Sequence, residues 1–248
     1  MSLLLIFVLT AGAFAHDVST PYGWYCKKST DGTLPRADAM FDFIKKYNCV
    51  YADEKAGDNK VIYLTFDAGY INENVIQILD TLKKHDVRGA FFVLENTIKR
   101  SPEVVKRMSD EGHLVCNHTA KHRDMTRIRN KEQFAAELQS MEKMYFELTG
   151  RDMAKFYRPP EGRFSEENLE FAQSLGYKTV LWSFAYADWD NSKQPDPERS
   201  KEKILSATHP GEIILLHPTS ATNAQILDDV LCAWENDGYR FAALDTLP

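Results

Sequence analysis

Five short polar clusters carry the side chains needed to hydrolyse an amide with a bound metal, and each follows a stretch with the pattern of a β-strand. They are Thr-Phe-Asp-Ala-Gly-Tyr at 65–70, His-Thr-Ala-Lys-His at 118–122, Arg-Pro-Pro-Glu-Gly-Arg at 158–163, Asp-Trp at 188–189 and Leu-Leu-His-Pro at 215–218. Together they supply two carboxylates, a histidine pair, an arginine and a third histidine. This combination predicts an enzyme that uses acid–base catalysis beside a metal ion.

Asp67 directly follows an apolar strand, and Gly69 would let the backbone turn sharply after it. A carboxylate at this place can act as a general base if a neighbouring cation or metal keeps it ionised. The alternative is a helix N-cap for the helix that begins near Ile71, because Asp is a common cap. Because four other polar clusters also follow predicted strands, we favour the catalytic interpretation of Asp67.

His118 and His122 are four residues apart, so on a helical turn both imidazoles would face the same way, as a metal requires. A single histidine would more often be an ordinary surface or core residue. A pair at this spacing just after a strand indicates metal ligands. Asn117, His113 and Asp124 lie nearby in the sequence and could orient the two rings.

The remaining clusters each allow a structural as well as a functional interpretation. Arg158 precedes two prolines that stiffen its turn, and its guanidinium could hold a carboxylate in place or form a simple ion pair under a loop. Asp188 stands beside Trp189, a pairing that suits a sugar ring or plain packing. His217 ends an apolar strand, where it could protonate a leaving amine or be a buried core histidine.

Strand and helix patterns alternate about seven times from Val61 onward, after a short amphipathic segment at 38–47. The strands are predicted at 61–66, 89–93, 113–116, 156–157, 178–182, 212–216 and 239–243, and the helices at 71–84, from 101, and at 130–148, 165–175, 197–207 and 223–236. Such alternation predicts parallel strands joined by right-handed crossovers. In a closed barrel and in an open sheet alike, chemistry gathers at the carboxyl ends of the strands, where all five clusters lie.

The length and composition fit one α/β domain, and the N-terminal residues predict that it is exported. A chain of 248 residues with 44% apolar content can bury one sizeable core, and the net charge of −6 argues against a nucleic-acid partner. The apolar run at 3–9 and the small-x-small pattern at 13–15 predict a signal peptide, although no Lys or Arg precedes the run. The alternative is a buried first strand, in which case the chain would be an intracellular amidohydrolase. No later segment is apolar enough to span a membrane.

Four cysteines permit disulfides without requiring them. Cys26 and Cys49 both precede the regular part of the chain and could form a bridge. Cys116 falls in a predicted strand and Cys232 in a predicted helix, where buried thiols are expected.

The ordered motifs resemble the NodB-homology family of polysaccharide deacetylases, from Val61 nearly to the C-terminus. The stretches at 63–67, 106–113 and 209–211 are similar to the PdaA-type muramic acid (delta-lactam-forming) de-N-acetylases. Those enzymes remove N-acetyl groups from peptide-free muramic acid in peptidoglycan, a step toward the muramic lactam of the spore cortex. The resemblance implies a distorted (β/α)7 barrel with parallel strands. With the predicted signal peptide at 1–15, this leaves an N-terminal extension at 16–60 before a catalytic domain at 61–248.

The resemblance also implies a role for each site residue. Asp67 would take a proton from the attacking water while Arg158 holds it in place. His217 would protonate the departing amine, and Asp188 would tune its pKa. His118 and His122 would bind a divalent metal, usually zinc. The residues expected to contact the polysaccharide are Gly69, Tyr70, Pro160, Arg163 and Trp189.

Ala68 departs from the family pattern. Many members have a second Asp there as a metal ligand, and the muramic subgroup often has Asn, whereas alanine has no donor atom. Water or another oxygen donor, for example from Asp188 or Asp67, would have to complete the site, so we expect weak metal affinity. Two other functions stay open. The chain could deacetylate chitin or N-acetylglucosamine, or it could bind glycans without catalysis, with Ala68 marking a decayed metal site.

Overall fold

The computed structural model describes residues 17–27 and 31–248, so the predicted signal peptide at 1–15 lies outside the described residues. The strands are β1 (Tyr22–Gly23), β2 (Cys49–Val50), β3 (Val61–Ala68), β4 (Ala90–Val93), β5 (Leu114–Asn117), β6 (Ala154–Tyr157), β7 (Arg163–Phe164), β8 (Lys178–Val180), β9 (Phe184–Ala185), β10 (Glu212–Leu216) and β11 (Arg240–Phe241). The α-helices are α1 (Glu73–Lys84), α2 (Glu95–Arg100), α3 (Pro102–Asp110), α4 (Lys131–Thr149), α5 (Glu166–Ser174), α6 (Pro197–Ala207) and α7 (Ala221–Asn236). Short 3-10 helices cover Ala39–Lys46, Met125–Arg127, Pro160–Gly162 and Leu244–Thr246.

One curled sheet organises the molecule. Its strands follow the order β2-β8-β6-β5-β4-β3-β10-β9, with β11 added beside the start of β3, and their ladders are parallel. All seven strands predicted from the sequence belong to this sheet. The predicted distorted (β/α) barrel of parallel strands is therefore confirmed. The ladders run from β2 to β9, and just beyond β2 an isolated antiparallel bridge joins Ala52 to Glu212 of β10.

The central strand β3 shows how the sequence directs side chains to the site. Alternate residues of β3 face two different apolar clusters, as the two-residue period of a strand requires. Ile62, Leu64 and Phe66 pack under the helices, and Val61 and Tyr63 lie in the cluster on the other face. The next residues on that second face are Thr65 and Asp67. The inner face of β3 thus changes from apolar to polar at the carboxyl end of the strand.

The helix boundaries settle one alternative for Asp67. The N-cap of α1 is Asn72, whose side-chain oxygen accepts a hydrogen bond from the backbone N–H of Val75 at 3.4 Å. Asp67 is therefore not the cap of this helix. The other predicted helices are present with shifts of a few residues at most, and α6 and β10 have the predicted bounds. The sequence did not predict α2, β1, β2, β7 or β9.

The N-terminal extension packs against the loop that follows β6. Strand β1 pairs with β7 in antiparallel register, and the Trp24 backbone N–H donates to the Gly162 carbonyl at 2.8 Å. The Trp24 indole N–H donates to the Trp182 carbonyl at 2.9 Å. Gly162 has a φ of 65°, and a Cβ there would lie 2.7 Å from the Trp182 ring, so only glycine fits. The extension thus fixes the loop that contains the Arg-Pro-Pro-Glu-Gly motif.

The cysteines are all free thiols, so the possible bridge between Cys26 and Cys49 is not formed. Cys49 and Cys116 are buried, as expected for Cys116, but Cys232 is exposed. The prediction that Cys232 is a buried thiol is wrong, because its position on α7 faces solvent beside the core stripe of that helix. No helix among the described residues is long and apolar enough to cross a membrane.

Candidate active site

A cavity of about 840 Å³ opens at the carboxyl ends of the central strands. Four titratable side chains singled out in the sequence line it, and they come from clusters that are up to 150 residues apart in the chain. They are Asp67, His118, His122 and His217. The other lining residues include Gly69, Tyr70, Leu94, Glu161, Gly162, Trp182, Tyr186, Trp189 and Leu215. The parallel sheet therefore brings the predicted chemistry together in one place.

Asp67 and Arg158 form an ion pair at the floor of this cavity. The Arg158 Nη1 donates to Asp67 Oδ1 at 2.8 Å, and Asp67 keeps a small exposed fraction of 11% while Arg158 is fully buried. The second carboxylate oxygen, Oδ2, is 3.6 Å from His118 Nε2. The carboxylate is therefore held from behind by one oxygen and faces the cavity with the other.

Every side of the Arg158 guanidinium is occupied. Its Nε donates to the Val180 carbonyl at 3.0 Å, and its Nη2 donates to Thr65 Oγ1 at 2.8 Å and to the Leu181 carbonyl at 3.3 Å. The Phe92 ring lies 4.2 Å from the guanidinium carbon, at cation–π distance. A buried guanidinium with a hydrogen-bond partner on each of its three nitrogens is fixed in orientation. Arg158 is thus fixed against Asp67, and its supporting role in catalysis stays a prediction.

The charges around Asp67 keep it ionised. Burial on its own would raise the pKa of this carboxyl, but the Arg158 guanidinium, with a smaller contribution from His217, outweighs burial and holds the pKa below its usual range. An ionised carboxylate at the surface of a cavity can accept a proton from water. Its chemistry is therefore that of a base across the neutral pH range.

His217 and Asp188 form a second pair on the other side of the cavity. His217 Nδ1 lies 2.7 Å from Asp188 Oδ1, and the His217 backbone N–H donates to Asp188 Oδ2 at 2.8 Å. The Asn223 side-chain amide donates to the same Oδ2 at 2.6 Å. Asp188 is fully buried, whereas a quarter of the His217 side chain is exposed. The carboxylate thus fixes the ring so that Nε2 is the nitrogen left to act in the cavity.

The partners of His217 favour its protonated form. Burial acts to lower its pKa, but the hydrogen bond and the charge of Asp188, with a smaller contribution from Asp67, raise the pKa above its usual value. A protonated imidazole can donate a proton to a leaving amine. The cavity therefore contains a base whose pKa is lowered and an acid whose pKa is raised.

The two histidines of the 118–122 motif meet without a helical turn, contrary to the sequence prediction. The loop instead contains two residues with left-handed backbone, Thr119 at φ 71° and His122 at φ 52°. Asn117 Oδ1 accepts from the Thr119 N–H at 2.9 Å, and Thr119 Oγ1 accepts from the His122 N–H at 3.0 Å. The His118 and His122 ring centroids are 5.0 Å apart. The neighbouring Asn117 thus supports the loop, as the sequence suggested.

The other two residues proposed to orient the histidines lie elsewhere. His113 accepts a hydrogen bond from the Gly89 N–H at 3.1 Å at the opposite end of the strands. Asp124 caps the short 3-10 helix that begins at Met125 and pairs with Arg163. Neither contacts the motif histidines, because each serves the fold around its own loop.

His118 has the surroundings of a metal ligand. Its Nδ1 bonds to the Arg158 carbonyl at 2.8 Å, so Nε2 carries the lone pair and is directed toward Asp67. Burial lowers the pKa of His118 to about 4, which keeps the ring neutral, as metal coordination requires. His122 and Asp67 are the neighbouring donors, and imidazole nitrogens with a carboxylate oxygen are of the chemical kinds that zinc accepts. Ala68 is fully buried in the apolar cluster under the helices, so its side chain adds nothing to this set.

The expected polysaccharide contacts divide into two groups. Gly69, Tyr70 and Trp189 line the cavity, and the Trp189 ring is one of the most exposed large apolar side chains described, at 64%. Pro160 and Arg163 do not line it. Pro160 is buried, and the Arg163 Nε pairs with Asp124 Oδ2 at 3.1 Å.

Sequence reasoning missed residues that act through others. Thr65 and Leu181 accept hydrogen bonds from Arg158, and Asn223 donates one to Asp188. Glu161 and Gly162 were also missed, and they line the cavity where Pro160 and Arg163 were expected. Thr65 could have been found, because it lies two residues before Asp67 on the same strand and so on the same face. Asn223 gave no signal, because it comes from the first turn of α7 and meets Asp188 only in the fold.

Comparison with known proteins places this cavity in context. The family model for polysaccharide deacetylases matches residues 54–180. Peptidoglycan-N-acetylmuramic acid deacetylase PdaA of Bacillus subtilis is 38% identical over 97% of this chain and 92% of that protein. Its solved structure, a family 4 carbohydrate esterase, superposes with a TM-score of 0.88 over 92% of this chain and 97% of that one.

Two further relatives differ from PdaA in what they do. Peptidoglycan-N-acetylglucosamine deacetylase of Bacillus cereus is 31% identical over 84% of this chain and 74% of that protein. A solved family 4 pseudoenzyme from Bacillus anthracis is 27% identical, with a TM-score of 0.72 over 80% of this chain and 68% of that one. A mutant of that pseudoenzyme has restored enzymatic activity. The fold is therefore shared by active and inactive proteins, and the side chains of the site must distinguish them.

Proposed function

This chain belongs to the polysaccharide deacetylase family, and from that premise we propose that it hydrolyses the N-acetyl groups of muramic acid residues in peptidoglycan. The observation that carries the proposal is the acid–base pair on one cavity. Arg158 holds the pKa of Asp67 below its usual range and so favours the carboxylate, and Asp188 raises the pKa of His217 and so favours the protonated ring. These are the protonation states that amide hydrolysis needs in the resting enzyme.

In the first step Asp67 acts as the general base. Its Oδ2 faces the cavity while Oδ1 stays bonded to Arg158, so the carboxylate can accept a proton from water without turning. Removal of that proton lets the water oxygen attack the acetyl carbonyl carbon, and the carbonyl becomes a tetrahedral oxyanion. Arg158 keeps Asp67 aligned and stabilises its charge until the proton arrives.

In the second step His217 acts as the general acid. The amine of the sugar is a poor leaving group unless its nitrogen is protonated as the C–N bond breaks. His217 supplies that proton from Nε2, and the buried Asp188 carboxylate stabilises the imidazolium beforehand. The products are acetate and a free amino sugar. Asp67 and His217 then exchange protons with solvent to return to their starting states.

The metal of this site is proposed to be zinc, held by His118 and His122 with Asp67 as the nearest protein oxygen. When bound, a divalent cation polarises the acetyl carbonyl and stabilises the oxyanion. Members of this family depend on metals in general, and neutral imidazoles suit zinc in particular. Because Ala68 offers no donor, we expect weak affinity compared with a site that has three protein ligands.

A zinc titration by calorimetry tests the affinity proposal. We expect weak binding at the cavity that disappears in His118→Ala, and tighter binding in Ala68→Asp if the new carboxylate turns toward the histidines. Ala68→Ser is the control for substitution at this buried position, since a hydroxyl is a poor zinc ligand. The titrations are made in a Cys232→Ser chain, so that the exposed thiol binds no zinc. Tight binding in that chain that survives mutation of Asp67 and Asp188 would contradict the proposal.

Muramic acid is favoured over other sugars because the likeness to PdaA covers nearly the whole chain. The exposed Trp189 and Tyr70 offer flat aromatic surfaces at the cavity rim against which a glycan strand could stack. A substrate of this kind places the enzyme outside the cell or in its envelope, in agreement with the predicted signal peptide. The free amine it produces could then close to the muramic lactam of the spore cortex.

The second candidate substrate is N-acetylglucosamine, favoured by the likeness to the Bacillus cereus enzyme. The reacting group is the same acetamide in both sugars, so the acid–base pair does not distinguish them. Muramic acid differs by a lactyl ether, whose free carboxylate is exposed only when the peptide is absent. Glycan strands with and without peptides, and chitin oligomers, separate the candidates.

A glycan-binding protein without catalysis is the alternative from another class. The pseudoenzyme relative shows that a member of this family can keep the fold and lack activity. Against this alternative, the Asp67–Arg158 and Asp188–His217 pairs are both fully formed here. Only the donor at position 68 is missing.

The deciding experiment measures acetate released from glycan strands stripped of their peptides, with added zinc and with chelator. We expect release that depends on zinc and disappears in Asp67→Asn, while glycan binding by that variant persists. Release from chitin oligomers alone would favour the second candidate. Glycan binding with no acetate release under any divalent metal would contradict the enzyme and favour the binding protein.

A further inference from the structure

A second group of metal-binding side chains lies far from the cavity, where the end of α1 packs against α7. His85 is the C-cap of α1, and Asp228 and Cys232 are four residues apart on α7, so they share one face of that helix. One ligating atom from each of the three lies within 4.8 Å of the other two. Among the described residues this is the one group of three that is so compact, and the catalytic histidines are not part of it.

The His85 ring is held in the manner of a metal-bound histidine. Its Nε2 lies 2.7 Å from Asp228 Oδ1, and its Nδ1 lies 3.1 Å from Glu235 Oε1. Carboxylates at both ring nitrogens fix the orientation of the ring, and a cation at Nε2 would take the place of the proton that bonds to Asp228. Only 7% of the His85 side chain is exposed, although its partners lie at the surface. The ring is therefore oriented before any metal arrives.

We propose that His85, Asp228 and Cys232 form a zinc-binding site that joins the end of α1 to α7, with Glu235 as the residue that orients His85. A thiolate, an imidazole and a carboxylate together are a donor set that zinc prefers over calcium or magnesium. In tetrahedral zinc sites neighbouring ligand atoms are about 3.3 Å apart, given bonds of about 2 Å. The three atoms lie within 4.8 Å of one another, so they must move to reach such spacing when zinc binds. Binding replaces the thiol proton of Cys232 and the proton at Nε2, and water completes the coordination.

Lys84 is the competitor for this site. Its Nζ lies 2.7 Å from both oxygens of Asp228, and zinc must displace it. The Lys84 side chain is 62% exposed, so it can turn into solvent with little loss of packing. An ion pair this exposed contributes little to stability and is a weak barrier to zinc.

Cobalt(II) is the probe that reports directly on the thiol. When cobalt replaces zinc beside a thiolate, a sulfur-to-cobalt charge-transfer band appears in the near ultraviolet. No cysteine lines the catalytic cavity, so binding at His118 and His122 gives no such band. We expect the band in the full chain, its disappearance on addition of zinc, and its loss in Cys232→Ser and in His85→Gln. Cys26→Ser is the matched control and should keep the band.

A second measurement uses the reactivity of the exposed Cys232. Zinc should slow alkylation of Cys232 by iodoacetamide in the wild-type chain and leave the rate unchanged in Asp228→Asn. Cobalt binding without a charge-transfer band, or a band that persists in Cys232→Ser, would overturn the proposal, as would an alkylation rate that does not respond to zinc. These readouts do not involve acetate release. The proposal of a second zinc site can therefore be disproved independently of the proposed deacetylase activity.

Discussion

The two sides of the cavity are built from the same kind of pair, a carboxylate with a cation, arranged in opposite order. On one side the cation, Arg158, is fully buried and the carboxylate, Asp67, reaches the cavity. On the other side the carboxylate, Asp188, is fully buried and the cation, His217, reaches the cavity. The buried partner decides the charge of the exposed one. A buried guanidinium therefore produces a base, and a buried carboxylate produces an acid.

This inversion widens the pH range in which both groups have the form needed for hydrolysis. The pKa of Asp67 is lowered, so Asp67 is ionised down to a lower pH than an ordinary carboxyl group. The pKa of His217 is raised, so His217 stays protonated to a higher pH than an ordinary imidazole. Activity should fall on the acid side as Asp67 gains a proton and on the alkaline side as His217 loses one. The shifts move the two limbs of the pH profile apart.

The largest effect is expected when the exposed member of either pair is removed. Asp67→Asn should reduce acetate release by about 10³-fold or more, because asparagine cannot accept the proton of the attacking water. His217→Gln should reduce release to a similar degree but should spare a substrate whose leaving group needs no proton. The measurement is kcat on peptide-free glycan and on an activated acetate ester. Equal losses of both variants on both substrates would contradict the assignment of base and acid.

Removing the buried cation should cost stability as well as activity. Arg158→Met takes away the partner of Asp67 and leaves a nearly buried carboxylate without compensation, which costs about 3–5 kcal/mol of unfolding free energy. The pKa of Asp67 should rise, so the acid limb of the pH profile moves to higher pH. The alkaline limb, set by His217, should move much less, because Arg158 has only a small effect on the pKa of His217. Urea unfolding and the pH profile of kcat measure the two effects.

The control for Arg158→Met is Arg163→Met. Arg163 lies in the same loop and also pairs with an aspartate, but its side chain is 44% exposed and does not line the cavity. Arg163→Met should lower the unfolding free energy by about 1 kcal/mol or less. An unchanged acid limb in Arg158→Met would mean that the guanidinium does not set the charge of Asp67.

Removing the buried carboxylate should give the complementary shift. Asp188→Asn loses the charge that favours imidazolium, so the pKa of His217 should fall and the alkaline limb should move to lower pH. The rate at neutral pH should fall by about 10–100-fold, as for other groups that orient a catalytic histidine. Titration of the His217 ring by NMR gives the pKa directly. A loss of activity with no change in that titration would mean that Asp188 has only a structural role.

The sequence predicted both members of each pair but not the residues that hold the buried members in place. Asp67, Arg158, Asp188 and His217 stood at the ends of predicted strands, and the rule that parallel strands direct their carboxyl ends to one edge brought them together. Thr65 and Asn223 were missed because a hydroxyl in a strand and an amide in a helix are common without function. Their importance arises from contacts across more than 30 residues of chain.

The fold was predictable for a related reason. Long elements with strong apolar periodicity, such as α4 and β3, have bounds close to those predicted, and α4 ends where Gly150 takes a φ of 70°. The short elements β1, β2, β7 and β9 have two residues each, too few for a period to appear. The 118–122 motif was placed on a helical turn because spacing alone does not reveal left-handed residues such as Thr119.

The smallest expected effect comes from the residue that holds the buried cation. Thr65→Val keeps the shape of the side chain and removes the oxygen that accepts from Arg158 Nη2. That nitrogen keeps only the longer bond to the Leu181 carbonyl, so a charged donor is left partly unsatisfied and the unfolding free energy should fall by about 1–3 kcal/mol. Arg158 gains freedom to move, and the pKa of Asp67 should rise slightly with no change in His217.

Thr97→Val is the matched control for this last comparison. Thr97 is equally buried and its hydroxyl donates to the Ala68 carbonyl at 2.7 Å, beside the cavity but without contact to either pair. Thr97→Val should lower the unfolding free energy by about 1 kcal/mol and leave the acid limb of the pH profile unchanged. If Thr65→Val moves the acid limb and Thr97→Val does not, the contact behind Arg158 contributes to the charge of Asp67. Equal shifts of the acid limb in the two variants would mean that the Thr65 hydroxyl has no specific effect on the pKa of Asp67.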